Sequence, residues 1–217
     1  MKRIVFDIET NGLDPDVIHC LICEDLDTDE IKSFTADNME DGLQLLSQAE
    51  EIIGHNIIGY DIPSLQKVYS SFVLPSAVRV TDTLTLSRLI HADLTNEDYE
   101  TNWSHADAEI LPKRMYGSHG LKAWGLRIGL HKGDYDGGWE TFNEDMWYYC
   151  VQDVKVTKAL YRKLDPDNYS QPAVELAHTL ATLCDKIGKF GWTFDVKKAN
   201  ELYAVLAARR SEIEGEL

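Results

Sequence analysis

The sequence predicts an α/β fold built on a mixed sheet. Apolar runs with strand character come early in the chain, and stretches with apolar residues at helical spacing are interleaved with them. Clusters of Gly, Pro, Asn and Asp mark most of the boundaries between the two. At 217 residues the chain is one large domain or a domain with an appendage.

Residues 2–9 read as a buried strand, closed by the turn Thr10-Asn11-Gly12-Leu13-Asp14-Pro15. A second strand covers about 17–24 and a third about 30–35, joined by Asp25-Leu26-Asp27-Thr28-Asp29 as a hairpin or meander. Leu43, Leu45, Leu46 and Ala49 give residues 40–49 a helical spacing, and Glu51 to Asn56 is a short strand. Asp61 to Tyr69 starts a helix with Pro63 in its first turn. Val78 to Thr83 is another strand, followed by a helix over 84–91. Residues 93–109 carry six acids and no Lys or Arg, the composition of an exposed loop or lid. A helix near 119–128 precedes a glycine-rich stretch containing Gly129, Gly133, Gly137 and Gly138. A long helix spans about 143–163, residues 168–172 connect, and helices follow over 173–187 and from Val196 onward. The last one stops in a charged run without a C-cap signal, as an interrupted helix does.

Hydrophobic residues make up 44% of the chain and charged residues 27%, enough for a core of ordinary size. Nothing approaches the roughly 18–20 continuous apolar residues that a membrane span needs. Asp7 falls where a signal peptide requires an apolar run. The expectation is a soluble, cytoplasmic protein without a membrane partner. Asp plus Glu is 37 against 21 Lys plus Arg, a net charge of −16. A protein that grips a long duplex by its phosphates carries a basic face. Either the partner is not nucleic acid, or contact is short and bound cations invert the local field at one acidic pocket. Cys20 and Cys23 form a CxxC beside His19, but in a strand residues three apart face opposite ways. No second pair has ligand spacing, so these are read as core cysteines.

Three groups of residues carry chemistry. In Asp7-Ile8-Glu9, at the end of the first strand, period 2 places both acids on one face. Two like charges in a strand interior are costly unless something positive lies between them. Hard oxygen ligands suit Mg²⁺ or Mn²⁺; alone, the pair also fits a surface acid beside a turn. In Asn56-Ile57-Ile58-Gly59-Tyr60-Asp61 a buried strand again leads to an acid at a helix start, where an N-cap is the alternative role. Tyr60 offers a ring that stacks on a base or plugs the core. Tyr149 and Asp153 stand four apart on the long helix and share a face. A phenol one turn from a carboxylate suits orienting a water, although the pair also fits a core tyrosine with a surface acid.

In this order the set resembles the DEDD exonuclease superfamily, in the subclass whose last motif carries Tyr. The resemblance implies a ribonuclease-H-like fold with a mixed central sheet flanked by helices, and two divalent cations, Mg²⁺ or Mn²⁺. By motif, Asp7 bridges both cations, Glu9 and Asp153 complete the first site, Asp61 helps hold the second, and Tyr149 positions the attacking water. Phe6 to Leu13 looks like the first motif of proofreading exonucleases, in which the residues matching Thr10 and Leu13 contact the terminal nucleotide. Asn56 and Tyr60 join this substrate-binding set. The stretches 82–91, 117–125 and 151–160 look like the proofreading domain of family A replicative DNA polymerases from short-tailed phages. Residues 191–195 and 202–211 resemble the segment leading into their polymerase portion.

The resemblance therefore implies an exonuclease domain over 1–172 and a helical segment over 173–217 leading toward polymerase domains. The expected activity is 3′→5′ exonuclease, releasing nucleoside 5′-monophosphates from a single-stranded DNA 3′ end, with no polymerisation by this chain alone. The expected location is the cytoplasm, that of the host if the chain is phage-encoded. A single-stranded end needs contact over only a few nucleotides, which the acidic net charge permits. Asp82, at a strand end, is read as structural because four carboxylates already complete the set. His55 either lines the pocket or packs, and His91, His105, His119 and His131 lack ligand spacing. Lys113, Arg114, Lys122, Arg127 and Lys132 are the densest basic group and candidates for phosphate contact.

Overall fold

The computed structural model describes residues 2–101, 103–105 and 108–216, apart from the side chains of 104, 105, 108 and 109. Five strands, β1 (Arg3–Thr10), β2 (Ile18–Asp25), β3 (Ile31–Phe34), β4 (Glu51–Gly54) and β5 (Arg79–Asp82), form one sheet in the order β3-β2-β1-β4-β5. β2 runs antiparallel to both β1 and β3, while β4 pairs parallel with β1 and with β5. β1 sits in the middle, which explains why Ile4, Val5 and Phe6 are apolar in succession: both faces of the strand are covered.

The helices are α1 (Met39–Ser47), α2 (Asp61–Val68), α3 (Thr83–Ile90), α4 (Leu94–Thr101), α5 (Leu121–Ile128), α6 (Glu144–Leu164), α7 (Gln171–Phe190) and α8 (Val196–Glu216). Helices of the first part of the chain cover the sheet on two sides. Ile4, Phe6 and Ile8 pack with Leu43 and Leu46 of α1 and Leu65 of α2. Val5 packs instead with Leu86 of α3, Trp124 of α5 and Cys150 and Val154 of α6. Strand alternation extends this second face to Asp7 and Glu9, so the two acids look toward the helix that carries Tyr149 and Asp153. Cys23 lies in the first layer and Cys20 in the second, both buried, as expected of core cysteines. This mixed sheet flanked by helices is the ribonuclease-H-like architecture that the motifs imply.

Local chemistry sets several boundaries. Asp82 caps α3 by accepting the backbone N–H groups of Leu84 and Thr85 at 2.9 and 3.2 Å. Asn143 caps α6, accepting the Met146 N–H at 2.8 Å. Glu144 and Asp145 stand in its first turn, and Arg162 and Lys163 in its last, as the helix dipole favours. α5 ends at Gly129 with φ 70°, a left-handed cap that glycine adopts without a Cβ clash.

The acidic stretch expected to be an exposed loop is different. Residues 94–101 form α4, and Leu94 and Asp98 are buried. Arg127 of α5 meets the Asp98 carboxylate through both Nε and Nη2, at 2.9 and 2.7 Å. The pair lies 29 positions apart in sequence, so composition within the segment could not disclose it. Arg127 is thereby removed from the phosphate-contact candidates, and Lys122 is engaged by Asp134 at the surface. Residues 102, 106 and 107 and the His105 side chain lie outside the described residues.

By internal contacts the chain divides into two units, Met1–Asp185 and Lys186–Leu217. The first contains the sheet and its covering helices. The second contains α8, which buries none of its residues. Among the described residues, no helix is long and apolar enough to cross a membrane.

Candidate active site

β4 ends at Gly54 and its ladder with β1 reaches only Val5, so Asp7 to Thr10 continue beyond their parallel neighbour. A register shift between Glu9 and Thr10 bends the strand at this point. The result is a pocket of about 490 Å³ at the carboxyl end of β1. Every residue expected to be catalytic or substrate-binding lines it: Asp7, Glu9, Thr10 and Leu13 from β1 and its turn, Asn56, Tyr60 and Asp61 from the β4–α2 segment, and Tyr149 and Asp153 from α6.

The β4–α2 segment is held in place by Asp82, whose carboxylate accepts the N–H groups of Asn56 and Ile58, each at 3.1 Å. Asn56 adopts a left-handed φ of 67°, a conformation that asparagine tolerates better than most residues. Tyr60 reaches across to the β1 turn, donating to the Gly12 carbonyl at 2.7 Å and bonding the Thr10 hydroxyl. Leu13 is 94% exposed at the rim. A leucine left in water on a turn forgoes the stabilisation that burial would bring.

Electrostatics dominate the floor. Glu9, Asp61 and Asp153 are buried. Burial first, then the neighbouring Asp153 carboxylate, pushes Asp7 up to about 7. Burial, Asp7 and Asp153 push Glu9 up to about 10. Asp61 is raised by burial, then by Asp7 and Asp82, against backbone hydrogen bonds. Burial raises Asp153 to about 6, although Lys132 opposes it. The Cys150 thiol donates to Asp7 Oδ2 at 3.6 Å. His55 lines the pocket and bonds Thr83 Oγ1 through Nδ1 at 2.9 Å; burial, Lys132 and Arg88 hold it down to about 3, so it stays neutral.

These residues fit a divalent cation. One ligand atom each from Asp7, Glu9 and Cys150 lie within 4.8 Å of one another. Asp153 Oδ1 is buried with no hydrogen-bond partner among the described residues, an acceptor available to a ligand. The donor set is rich in carboxylate oxygen, as Mg²⁺ and Mn²⁺ prefer.

Residues not singled out for the pocket also line it. Lys132, expected only as one of several basic residues, bonds Asp153 directly. Trp139 comes from the same glycine-rich stretch and packs against Tyr135 and Tyr149 at ring-centroid distances of 4.8 and 6.3 Å. Cys150, which stands behind the pocket wall against Asp7, had a visible signal, since it follows Tyr149 on α6. Lys132 and Trp139 had none, because nothing regular in the stretch indicates which way its side chains turn.

No protein-family model matches the chain. Similarity to phage DNA polymerases runs through nearly all of it. The DNA-directed DNA polymerase of Escherichia phage T7 is 37% identical across 97% of this chain and 36% of the phage protein. That of Enterobacteria phage T3 is 36% identical over the same shares. The resemblance to phage DNA polymerases therefore holds along nearly the whole chain, which spans 36% of the length of these relatives. Among solved structures, Escherichia coli RNase D, an exoribonuclease, is a looser likeness, with a TM-score of 0.48 at 12% identity, covering 86% of this chain and 46% of that one.

Proposed function

We propose that this chain is a metal-dependent 3′→5′ exonuclease that hydrolyses DNA 3′ ends to nucleoside 5′-monophosphates, as the proofreading part of a replicative DNA polymerase. The observation that carries this reading is the convergence of four carboxylates from β1, α2 and α6 on one pocket, where burial and neighbouring carboxylates push Asp7, Glu9 and Asp61 up. Asp7, Glu9, Asp61 and Asp153 would hold two divalent cations, Mg²⁺ or Mn²⁺. When bound, such ions supply charge neutralisation for the attacking and leaving oxygens of an in-line displacement. Tyr149 orients the attacking water from one turn above Asp153. Thr10, Leu13, Asn56 and Tyr60 hold the terminal nucleotide, with Leu13 at the rim against the last base.

The relatives are DNA polymerases, which supports DNA as substrate and further polymerase domains as partners. The exposed stripe Leu176, Leu180 and Leu183 on α7 supports the same partnership, since solvent is a poor neighbour for it. We assign residues 1–172 to the exonuclease domain and 173–217 to a helical segment leading toward the polymerase. The host cytoplasm is the proposed location.

The test is digestion of 5′-labelled single-stranded DNA, with an RNA oligonucleotide alongside, in Mg²⁺ or Mn²⁺. Asp7→Ala protein and EDTA serve as controls. The expected result is a DNA ladder shrinking from the 3′ end and absent from both controls. Faster trimming of RNA would move the substrate assignment. No cleavage by folded protein with either metal would leave a docking module in its place.

A further inference from the structure

Within a chain of net charge −16, the pocket holds one Lys or Arg among its described lining residues, Lys132. It comes from the glycine-rich stretch opposite the acids. Its Nζ donates to Asp153 Oδ2 and lies 4.5 Å from the centroid of the Tyr149 ring. One ammonium thus touches both members of the helix pair that the proposed chemistry uses.

The placement is built rather than incidental. On one side of Lys132, the Leu130 N–H donates to the Gly125 carbonyl of α5 at 2.9 Å. A Cβ at Gly125 would come within 2.7 Å of the Leu130 carbonyl oxygen and 3.2 Å of the Lys132 nitrogen, so glycine there lets the strap press onto α5. One residue further on, Gln152 of α6 donates from Nε2 to the His131 carbonyl at 2.7 Å. The backbone leading into Lys132 is therefore fastened to α5 and α6 at once. The side chain is only 19% exposed. A surface lysine drawn in by net charge alone needs none of these fastenings.

We propose that Lys132 is a positioning residue of this centre: from the facing strap it fixes Asp153 and Tyr149 relative to each other, and it releases Asp153 to an incoming divalent cation. The inference rests on the exonuclease reading for its catalytic consequence. A lysine suits the task because its ammonium is a compact point charge on a flexible stem, able to leave one carboxylate oxygen without refolding the strap.

The test uses the full chain and Lys132→Met, which keeps the stem and removes the charge, with circular dichroism to establish equal folding. Nucleotide release from single-stranded DNA in Mg²⁺ is measured across DNA concentration. Free Mn²⁺ is titrated against each protein by electron paramagnetic resonance, without DNA. The expected result is a kcat lower by about tenfold or more with KM changed by less than about threefold. Mn²⁺ binding should become about threefold or more tighter, because a competing positive charge is gone. Wild-type kcat in the variant, a loss lying wholly in KM, or unchanged or weaker Mn²⁺ binding would each overturn the proposal. An inactive wild-type chain defeats the exonuclease reading instead, and the Mn²⁺ titration then decides the role of Lys132 by itself.

Discussion

Asp82 receives the backbone N–H of Asn56 at 3.1 Å while its own helix begins one residue later. The same carboxylate accepts Ile58, Leu84 and Thr85, so a single side chain ties the β4–α2 segment to the start of α3. The segment it holds delivers Asn56, Tyr60 and Asp61 to the pocket. An acid that lines no part of the pocket thus determines where three of its residues stand.

Asp82→Ala removes the acceptor for all four donors. The expected loss is about 2 kcal/mol of folding stability, read by chemical denaturation, since buried amides are left unpaired. Nucleotide release should also slow, although every carboxylate of the pocket is retained. Unchanged stability in Asp82→Ala would show that the amides find water instead.

The pocket acids make stability depend on pH and on cations. Their folded values lie above the ordinary carboxylate range, with Asp153 at about 6, Asp7 at about 7 and Glu9 at about 10. Above the unfolded value of roughly 4, the folded chain therefore holds more protons than the unfolded chain, and stability falls as pH rises. Asp98, Asp25 and Asp29 shift the other way, so their contribution is already present above the unfolded value. The lowered His55 and His119 oppose the fall only up to the ordinary histidine value of about 6.5 and are outnumbered by the raised acids. In EDTA the Tm should drop between about pH 5 and about pH 8, and Mg²⁺ should recover much of the drop at the higher pH. Asp7→Asn should raise the Tm in EDTA at the higher pH while abolishing nucleotide release. A Tm in EDTA that is flat or rises over this range contradicts the assignment.

The Asp98–Arg127 pair is almost wholly buried and joined at 2.7 Å. Breaking such a pair from one side leaves a charge without compensation. Asp98→Ala should therefore cost about 3–5 kcal/mol. Replacing both, as in Asp98→Ala with Arg127→Met, should recover part of that loss because no lone charge remains. Equal losses in the single and double variants would mean that packing around α4, rather than the ion pair, sets the cost.

Local periodicity made much of this protein legible from its sequence. A period of two puts Asp7 and Glu9 on one face, and a spacing of four stacks Tyr149 with Asp153. Cys20 and Cys23 separate into opposite layers for the same reason. Each relation is contained within one turn or a few residues of strand, where backbone geometry leaves little choice. Tertiary structure decided which partner each face meets. It set Cys150 against Asp7 across 143 positions, Arg127 against Asp98 across 29, and Lys132 against Asp153 across 21. These pairings depend on how the sheet twists, where the helices cross it and how an irregular strap is fastened. Composition and spacing within a segment cannot encode such relations, because the energy that selects them comes from burying charges and apolar faces that meet only after the chain has folded.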